Sequence, residues 1–406
     1  MISAFPIQTL LPDISCIDEI VSLGSGKLPE SVLIEKALRF PSNYIRVVKP
    51  QYIDHDLIPG SSDFYDKSKF YLDALIKNSK IAPQVESIYY YNQKHNSGVN
   101  LGGWIVGIDA DDYLNGRVKK HENTIKAKEE RLVKHIQILQ SMAEPVLLST
   151  ILPESMKAAA KKHIDTNSTI LEIADENRNI HQLWQVSDSD SMNSILSMFN
   201  QIESLYIADG HHRVASTSQY IIQEFGHNSG KGFMSLIMDE GDLLIKPFYR
   251  LLKDIDPNTL IPFLESSNIY IETLKEAVSY ESINKGEVVF YSKEFIIKAQ
   301  LPELSNVSAK DKLDVSITEK LILYPLFQLQ DSSQDARIGF LRGDTPVNEI
   351  MHKLSIGAID LAILFHPNSM EEIRNVADEN EIMPPKSTFI EPKLLTGMVI
   401  EDYKDR

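Results

Sequence analysis

The chain has 406 residues, 43% of them hydrophobic, and a formal charge of −16, enough for one large or two ordinary domains with an ample core. Its acidic balance excludes a nucleic-acid polymer as a general partner, and no apolar run is long enough to span a bilayer. Met1–Leu11 lacks the basic start and apolar centre of a secretory signal, and the single Cys16 excludes an internal disulfide, so a cytoplasmic location with no membrane partner is expected.

The first 60 residues are rich in Pro and turn residues and have few clear periods. The spacing of Phe64, Leu72, Leu75 and Ile76 predicts a helix over Phe64–Ser79. Strands are expected over Ser87–Tyr91 and Gly103–Ile108. Asn123 or Thr124 can cap a helix running to about Met142, with Leu132, Ile136 and Leu139 as its apolar stripe. Pro145–Ile151 reads as a strand and Pro153–Lys162 as a helix with Pro at its first turn. Strands near Thr169–Ile173 and Ile180–Val186 precede a helix over Ser191–Phe199.

Leu205–Ala208 then reads as a buried strand, Asp209-Gly210 as a sharp turn, and Val214–Phe225 as a helix closed by Gly226. Phe233–Met238 and Leu243–Ile245 suggest a hairpin around Asp239–Asp242. Past Pro247, helical segments near Pro257–Ser266, Ile317–Leu323 and Met370–Ala377 alternate with strands. These lie near Val288–Tyr291, Phe295–Ala299, Ile338–Leu341 and Leu361–Phe365. The mixture predicts an α/β or α+β architecture, with domains over 1–245 and 246–406.

The turn carries the chemistry. His211, His212 and Arg213 follow it directly, at the start of a helix. A helix N-terminus offers free N–H groups and a positive dipole end, which suit an anion. Arg213 can add a bidentate grip on phosphate or carboxylate. Arg117, Lys119, Lys120, Lys126, Lys128, Arg131 and Lys134 cluster around His121-Glu122. Charge alone favours a solvated helix face paired with Glu129 and Glu130; the alternative is a patch that focuses small anions.

Gly24-Ser25-Gly26-Lys27 fails the P-loop pattern at Val21 and Leu28 and reads as a loop. A zinc site would need distant carboxylates or His121. Magnesium needs only one or two carboxylates plus substrate phosphates, so Asp209 or Glu122 would suffice.

Tyr206-Ile-Ala-Asp-Gly-His-His-Arg213 and Lys119-Lys-His-Glu-Asn-Thr124 resemble the motifs of a widespread prokaryotic domain family of unknown function. His181-Gln-Leu-Trp184, Met383-Pro-Pro-Lys-Ser-Thr-Phe389 and Pro392-Lys-Leu-Leu-Thr-Gly397 extend the resemblance over most of the chain. Val48-Lys49-Pro50-Gln51-Tyr52 stands where the family often has a Pro-Pro-Tyr-Asp-like segment, and Tyr249 replaces a common histidine.

The Asp-Gly-His-His-Arg turn is also similar to the nucleotide-binding turn of the ParB/sulfiredoxin-like superfamily, which includes kinases of free L-serine that use ADP or ATP. That resemblance implies a nucleotide-binding core followed by an additional C-terminal α/β region. It implies that Gly210, His211, His212 and Arg213 cradle phosphates. Asp209 would hold magnesium or orient the acceptor, with His212 beside it in the catalytic set. Lys119, Lys120 and His121 could complete the anion cage, and Glu122 is the candidate base. Trp184 is expected in the core. Lys386 and Lys393 are read as packing a C-terminal loop or strand rather than as catalytic groups.

The leading expectation is a phosphotransferase using ADP or ATP and a small hydroxylated metabolite, with free L-serine a candidate acceptor. The alternatives are a non-catalytic nucleotide- or phosphate-binding regulatory protein, and a nucleotide hydrolase.

Overall fold

The computed structural model describes residues 1–24, 26–329, 332 and 334–404. The chain is mixed α/β and divides into two compact units. The first comprises Met1–Lys119, Asn123–Leu243 and Pro392–Arg406; the second comprises Lys120–Glu122 and Leu244–Glu391.

The first unit is built on one sheet. Among the described residues its strands run in the order Leu171–Ala174, Ile180–Val186, Ile88–Lys94, Asn100–Asp109, Gly232–Asp239, Val146–Thr150, Leu205–Asp209 and Val118–Lys119. Ala4–Phe5 pairs alongside Asn100–Asp109. Most neighbours are antiparallel. Gly232–Asp239 runs parallel to Val146–Thr150, and Leu205–Asp209 runs parallel to Val118–Lys119.

The central strands are apolar without alternation because both faces are covered. Every residue of Gly232–Asp239 and of Val146–Thr150 is buried. Trp104, Val106, Phe199, Leu205, Ile207, Val214 and Phe233 share one core cluster. Burying each of the larger of these side chains contributes about 2 kcal/mol.

Trp184 lies in the core as expected, donating its indole N–H to the Asn167 carbonyl at 3.2 Å. His181, three residues before it, is fully buried and hydrogen-bonded to the Tyr91 hydroxyl at 2.8 Å and to Asp175 at 3.1 Å. The His-x-x-Trp strand is therefore a packing motif, its polar groups satisfied internally.

Two expectations need correction, and one region that the sequence leaves unassigned holds a helix. The segment Leu244–Lys246 does not form a hairpin with Gly232–Asp239; it pairs antiparallel with Phe389–Glu391. The helix expected after Asn123 or Thr124 runs over Lys126–Leu139 behind Ile125, with no side-chain cap from either. The early region holds a helix over Glu30–Arg39 whose apolar face buries only Leu33 and Ala37, too few positions to mark a period.

The chain end also differs from a continuous 246–406 body. Ile400–Asp402 pairs with Thr9–Pro12 and with Ser141–Met142, and Leu395–Thr396 pairs with Ser22–Leu23. These ladders tie 392–406 to the first unit.

The second unit has a sheet ordered Ile271–Thr273, Ile296–Gln300, Glu287–Tyr291, Leu361–Phe365, Phe248–Leu252 and Ile338–Arg342. Arg250 is fully buried there. It donates to the carbonyls of Lys386 and Pro385 at 2.7 and 3.0 Å and meets Glu319 at 3.3 Å. Lys386, at φ 52°, lays its ammonium over the Phe248 ring. The Met383–Phe389 signature is held in this way by a buried guanidinium.

Candidate functional site

Strand Leu205–Asp209 ends in an irregularity between Ile207 and Asp209 where its pairing with Val146–Thr150 shifts register. Such a bulge re-aims the last side chain. Gly210 follows at φ 103°, a left-handed conformation that only glycine adopts without strain. The helix then begins at His211 and runs to Phe225. Gly210 is its N-cap and supplies no side-chain cap.

Asp209 anchors a chain of part-buried charges. One of its oxygens accepts from Arg213 at 2.7 Å and the other from Lys393 at 3.1 Å. Arg213 reaches Glu144 at 3.5 Å and donates to the Pro145 carbonyl. Glu144 in turn accepts from Lys27 at 3.1 Å and from the Thr396 hydroxyl. Lys27 also donates to the Leu394 carbonyl at 2.8 Å. The order Lys27, Glu144, Arg213, Asp209, Lys393 alternates in sign and carries one positive charge in excess.

The electrostatics follow from that order. Burial alone would raise the Asp209 carboxyl, but Lys393, Arg213 and Lys27 hold it well below the usual carboxylate range. Glu144 is likewise held low by Lys27 and Arg213 against its burial. Burial pushes the Lys27 ammonium down, with Glu144 opposing. Both carboxylates are therefore firmly ionised and paired with cations.

This corrects the sequence expectation for Asp209. Its oxygens face lysine and arginine donors, and a divalent cation there would have to displace them against their like charge. The residues present do not fit magnesium at Asp209. A carboxyl held this acidic is also a weak proton acceptor. Among the described residues no group of three or more His, Cys, Asp or Glu is arranged to hold a metal.

A cavity of about 430 Å³ opens beside the network, within the size range of small-molecule sites. Arg213, Glu144 and Thr396 border it. Lys49, Lys128, Arg131, His135 and His212 line it further, with Tyr44, Phe64, Tyr65, Leu132 and Met142 giving flat or apolar surface.

Lys128, Arg131, Leu132 and His135 recur at the spacing that puts side chains on one face of a helix. The basic patch therefore splits. Lys126 is exposed and meets Glu130 at 4.0 Å, while Lys128 and Arg131 turn to the cavity. Lys119 lies over the Tyr206 ring at 5.8 Å.

His211 is buried at the first helical position, and His212 is half-buried and lines the cavity. The Ile125 N–H points at His212 Nδ1 at 3.4 Å, which leaves the proton on Nε2. Burial and Lys128 lower its pKa, so the ring is neutral near pH 7. Lys120, His121 and Glu122 belong to the second unit. There His121 is buried and its carbonyl accepts the Met383 N–H at 2.9 Å.

Lys393 is the second correction: it is an ion-pair partner of Asp209 as well as part of a packed segment. Sequence reasoning passed over Lys27, Glu144, Lys49 and His135. Lys27 lies in a stretch that reads as a plain loop, of which Ser25 is outside the described residues. The only sequence signal for His135 was its helical register with Lys128 and Arg131.

A family model described as a protein of unknown function (DUF1015) matches residues 30–316. The chain belongs to that family. No curated protein matches it. Among solved structures, a mutant free serine kinase in complex with AMP aligns at TM-score 0.38 and 16% identity, covering 71% of this chain and 88% of that chain. A conserved hypothetical protein from Pyrococcus furiosus aligns at 0.35 and 17%, covering 71% and 90%. SbnI with a C-terminal truncation, from Staphylococcus aureus, aligns at 0.36 and 12%, covering 72% and 85%. At these scores the likenesses are distant. No helix among the described residues is long and apolar enough to cross a membrane.

Proposed function

We propose that the chain is a nucleotide-dependent phosphotransferase whose phosphate donor, ADP or ATP, binds in the cavity beside the His211 helix. The observation that carries the reading is the cavity's cationic wall: Lys49, Lys128, Arg131 and Arg213 line it against one carboxylate, Glu144, which is already paired. Phosphoryl transfer is mostly positioning and charge neutralisation, and such a wall supplies both. Arg213 is pre-aligned by Asp209 and Glu144. His212, neutral with Nε2–H free to donate, adds a hydrogen bond without adding charge. The positive dipole end of the helix that begins at His211 favours an anion beside it.

The acceptor is a small hydroxylated metabolite, with free L-serine the first candidate because the Asp-Gly-His-His-Arg turn resembles that of the serine kinases. Lys119, in the same unit, is proposed as a further phosphate partner, while Lys120, His121 and Glu122 belong to the second unit. Magnesium, if the nucleotide brings it, would ride on the phosphates and not on Asp209.

A second reading, a nucleotide-binding protein without turnover, is favoured by one observation. Asp209 and Glu144 are both locked in ion pairs, so neither serves as a general base. Phosphorus NMR separates the two. The native chain with magnesium, ADP or ATP and L-serine is expected to form O-phosphoserine, which Arg213→Ala abolishes. Nucleotide loss without a phosphorylated acceptor would mark a hydrolase or another acceptor. Ligand-dependent thermal stabilisation with no turnover would leave the binding protein standing.

A further inference from the structure

One side chain of the cavity wall is not suited to gripping phosphate. His135 lies on the helix Lys126–Leu139 and faces the cavity with Lys128 and Arg131. The Tyr65 ring is its neighbour, 6.3 Å between centroids and tilted by 60°. Among the described residues neither ring nitrogen of His135 makes a hydrogen bond.

Burial and the nearby Lys49 push its pKa down to about 4. At neutral pH the imidazole is therefore uncharged and presents one N–H donor and one lone-pair acceptor. Such a ring adds nothing to anion binding. It is suited to a neutral edge on which a donor and an acceptor stand close together. Leaving that capacity unused on a cavity wall has no packing benefit, since a phenylalanine would fill the same space beside Tyr65 without polar atoms to desolvate.

The position along the helix adds a second constraint. Seven residues separate Lys128 from His135, about 10 Å of helix axis. Lys128 stands with His212 and Arg213 at the phosphate end. His135 is two turns away, beside Tyr65 and near Lys49, in a cavity to which Tyr44 and Phe64 also contribute rings whose flat faces suit a planar heterocycle. That separation matches the reach from phosphates to base in a nucleotide.

We infer that His135 is the specificity-determining residue of the cavity, and that it reads the hydrogen-bonding edge of the nucleobase. The inference rests on the nucleotide reading above and sharpens it: the phosphates supply affinity and His135 selects the base.

The test is a set of calorimetric titrations of the full chain with ADP, GDP, CDP, UDP and inorganic pyrophosphate. The native protein is expected to bind one of the nucleotides at least tenfold tighter than pyrophosphate. His135→Phe is expected to lose most of that preference, while its pyrophosphate affinity stays within twofold of native and so reports an intact cavity. His135→Gln, which keeps a donor and an acceptor, is expected to recover part of the preference.

Three results overturn the inference alone: a native protein that binds nucleotides and pyrophosphate equally, a His135→Phe variant that discriminates as the native chain does, or a variant in which nucleotide and pyrophosphate weaken together. A native protein that binds none of the five ligands overturns the nucleotide reading itself, and the inference with it.

Discussion

At the residue scale, Asp209 illustrates how a carboxylate in a polar turn can serve neighbouring cations and not a metal. A carboxylate at the end of a strand, before a glycine and two histidines, reads as a metal ligand or an acceptor-orienting group. In the fold it positions Arg213 and Lys393. The partner Lys393 stands 184 residues away, and no local pattern reveals it. Lys27 and Glu144 are equally invisible, because an alternating chain of charges drawn from four segments has no period. His212 and Arg213 were legible because the helix N-terminus that presents them is a local feature.

The acid response follows with a definite sign. The folded pKa of Asp209 is depressed, so its stabilisation is present above the unfolded value of 3.8 and is lost as pH falls below it. Asp209→Asn is expected to melt earlier than native at pH 7, by about 1–2 kcal/mol given that part of the side chain reaches solvent. The gap should begin to narrow in melting scans below pH 3.8 and close only as pH falls through the depressed folded value. A gap that is the same at pH 7 and pH 3 would mean that the ion pairs contribute nothing.

At the element scale, the strand–turn–helix unit was readable from an apolar run, an Asp-Gly turn and a closing Gly226, since each is a short-range preference. The boundaries moved only by the first turn: the helix begins at His211, three residues before Val214. The Asp239–Asp242 turn misled because turn chemistry records that the chain bends, and not which strand it then joins. Leu244–Lys246 finds Phe389–Glu391 instead.

Gly210 gives this element its sharpest prediction. At φ 103° an alanine would be strained, and its Cβ would lie 3.0 Å from the Arg213 guanidinium. Gly210→Ala should cost about 1–3 kcal/mol and displace Arg213. Nucleotide affinity should therefore fall more than tenfold, measured by titration. Native affinity in this variant would show that the turn's conformation is not what aims Arg213.

At the scale of the whole molecule, the first unit is completed by residues from the far end of the chain. Ile400, Val399 and Leu395 are buried, and Lys393 and Thr396 enter the charge network. Sequence reading assigned 392–406 to a C-terminal body because contiguity along the chain is the only guide it has. A chain ending at Glu391 is expected to lose nucleotide binding and to unfold well below the native melting temperature. A truncated chain that binds and melts as native would contradict this closure.

Glu401 adds a pH dependence of the opposite sign. It is buried, with its carboxyl pushed up to about 7 by burial, although the Tyr403 hydroxyl and the Met234 N–H donate to it. A raised folded pKa favours the protonated native state. Stability from this group is full below the unfolded value of 4.5 and declines as pH rises toward about 7, by roughly 3 kcal/mol in all. Glu401→Gln should match native melting near pH 4.5 and exceed it at pH 8. Equal melting at pH 8 would place the ordinary carboxylate form in the fold.

Everything proposed for function passes through the cationic cavity and its alignment by Arg213. The most direct measurement is the binding of ADP and ATP to the native chain and to Arg213→Ala by titration calorimetry at fixed salt. Saturable binding by the native chain, weakened at least tenfold in Arg213→Ala while the variant still folds, is the predicted result. Absence of binding to the native chain, or equal binding by both, would contradict the account.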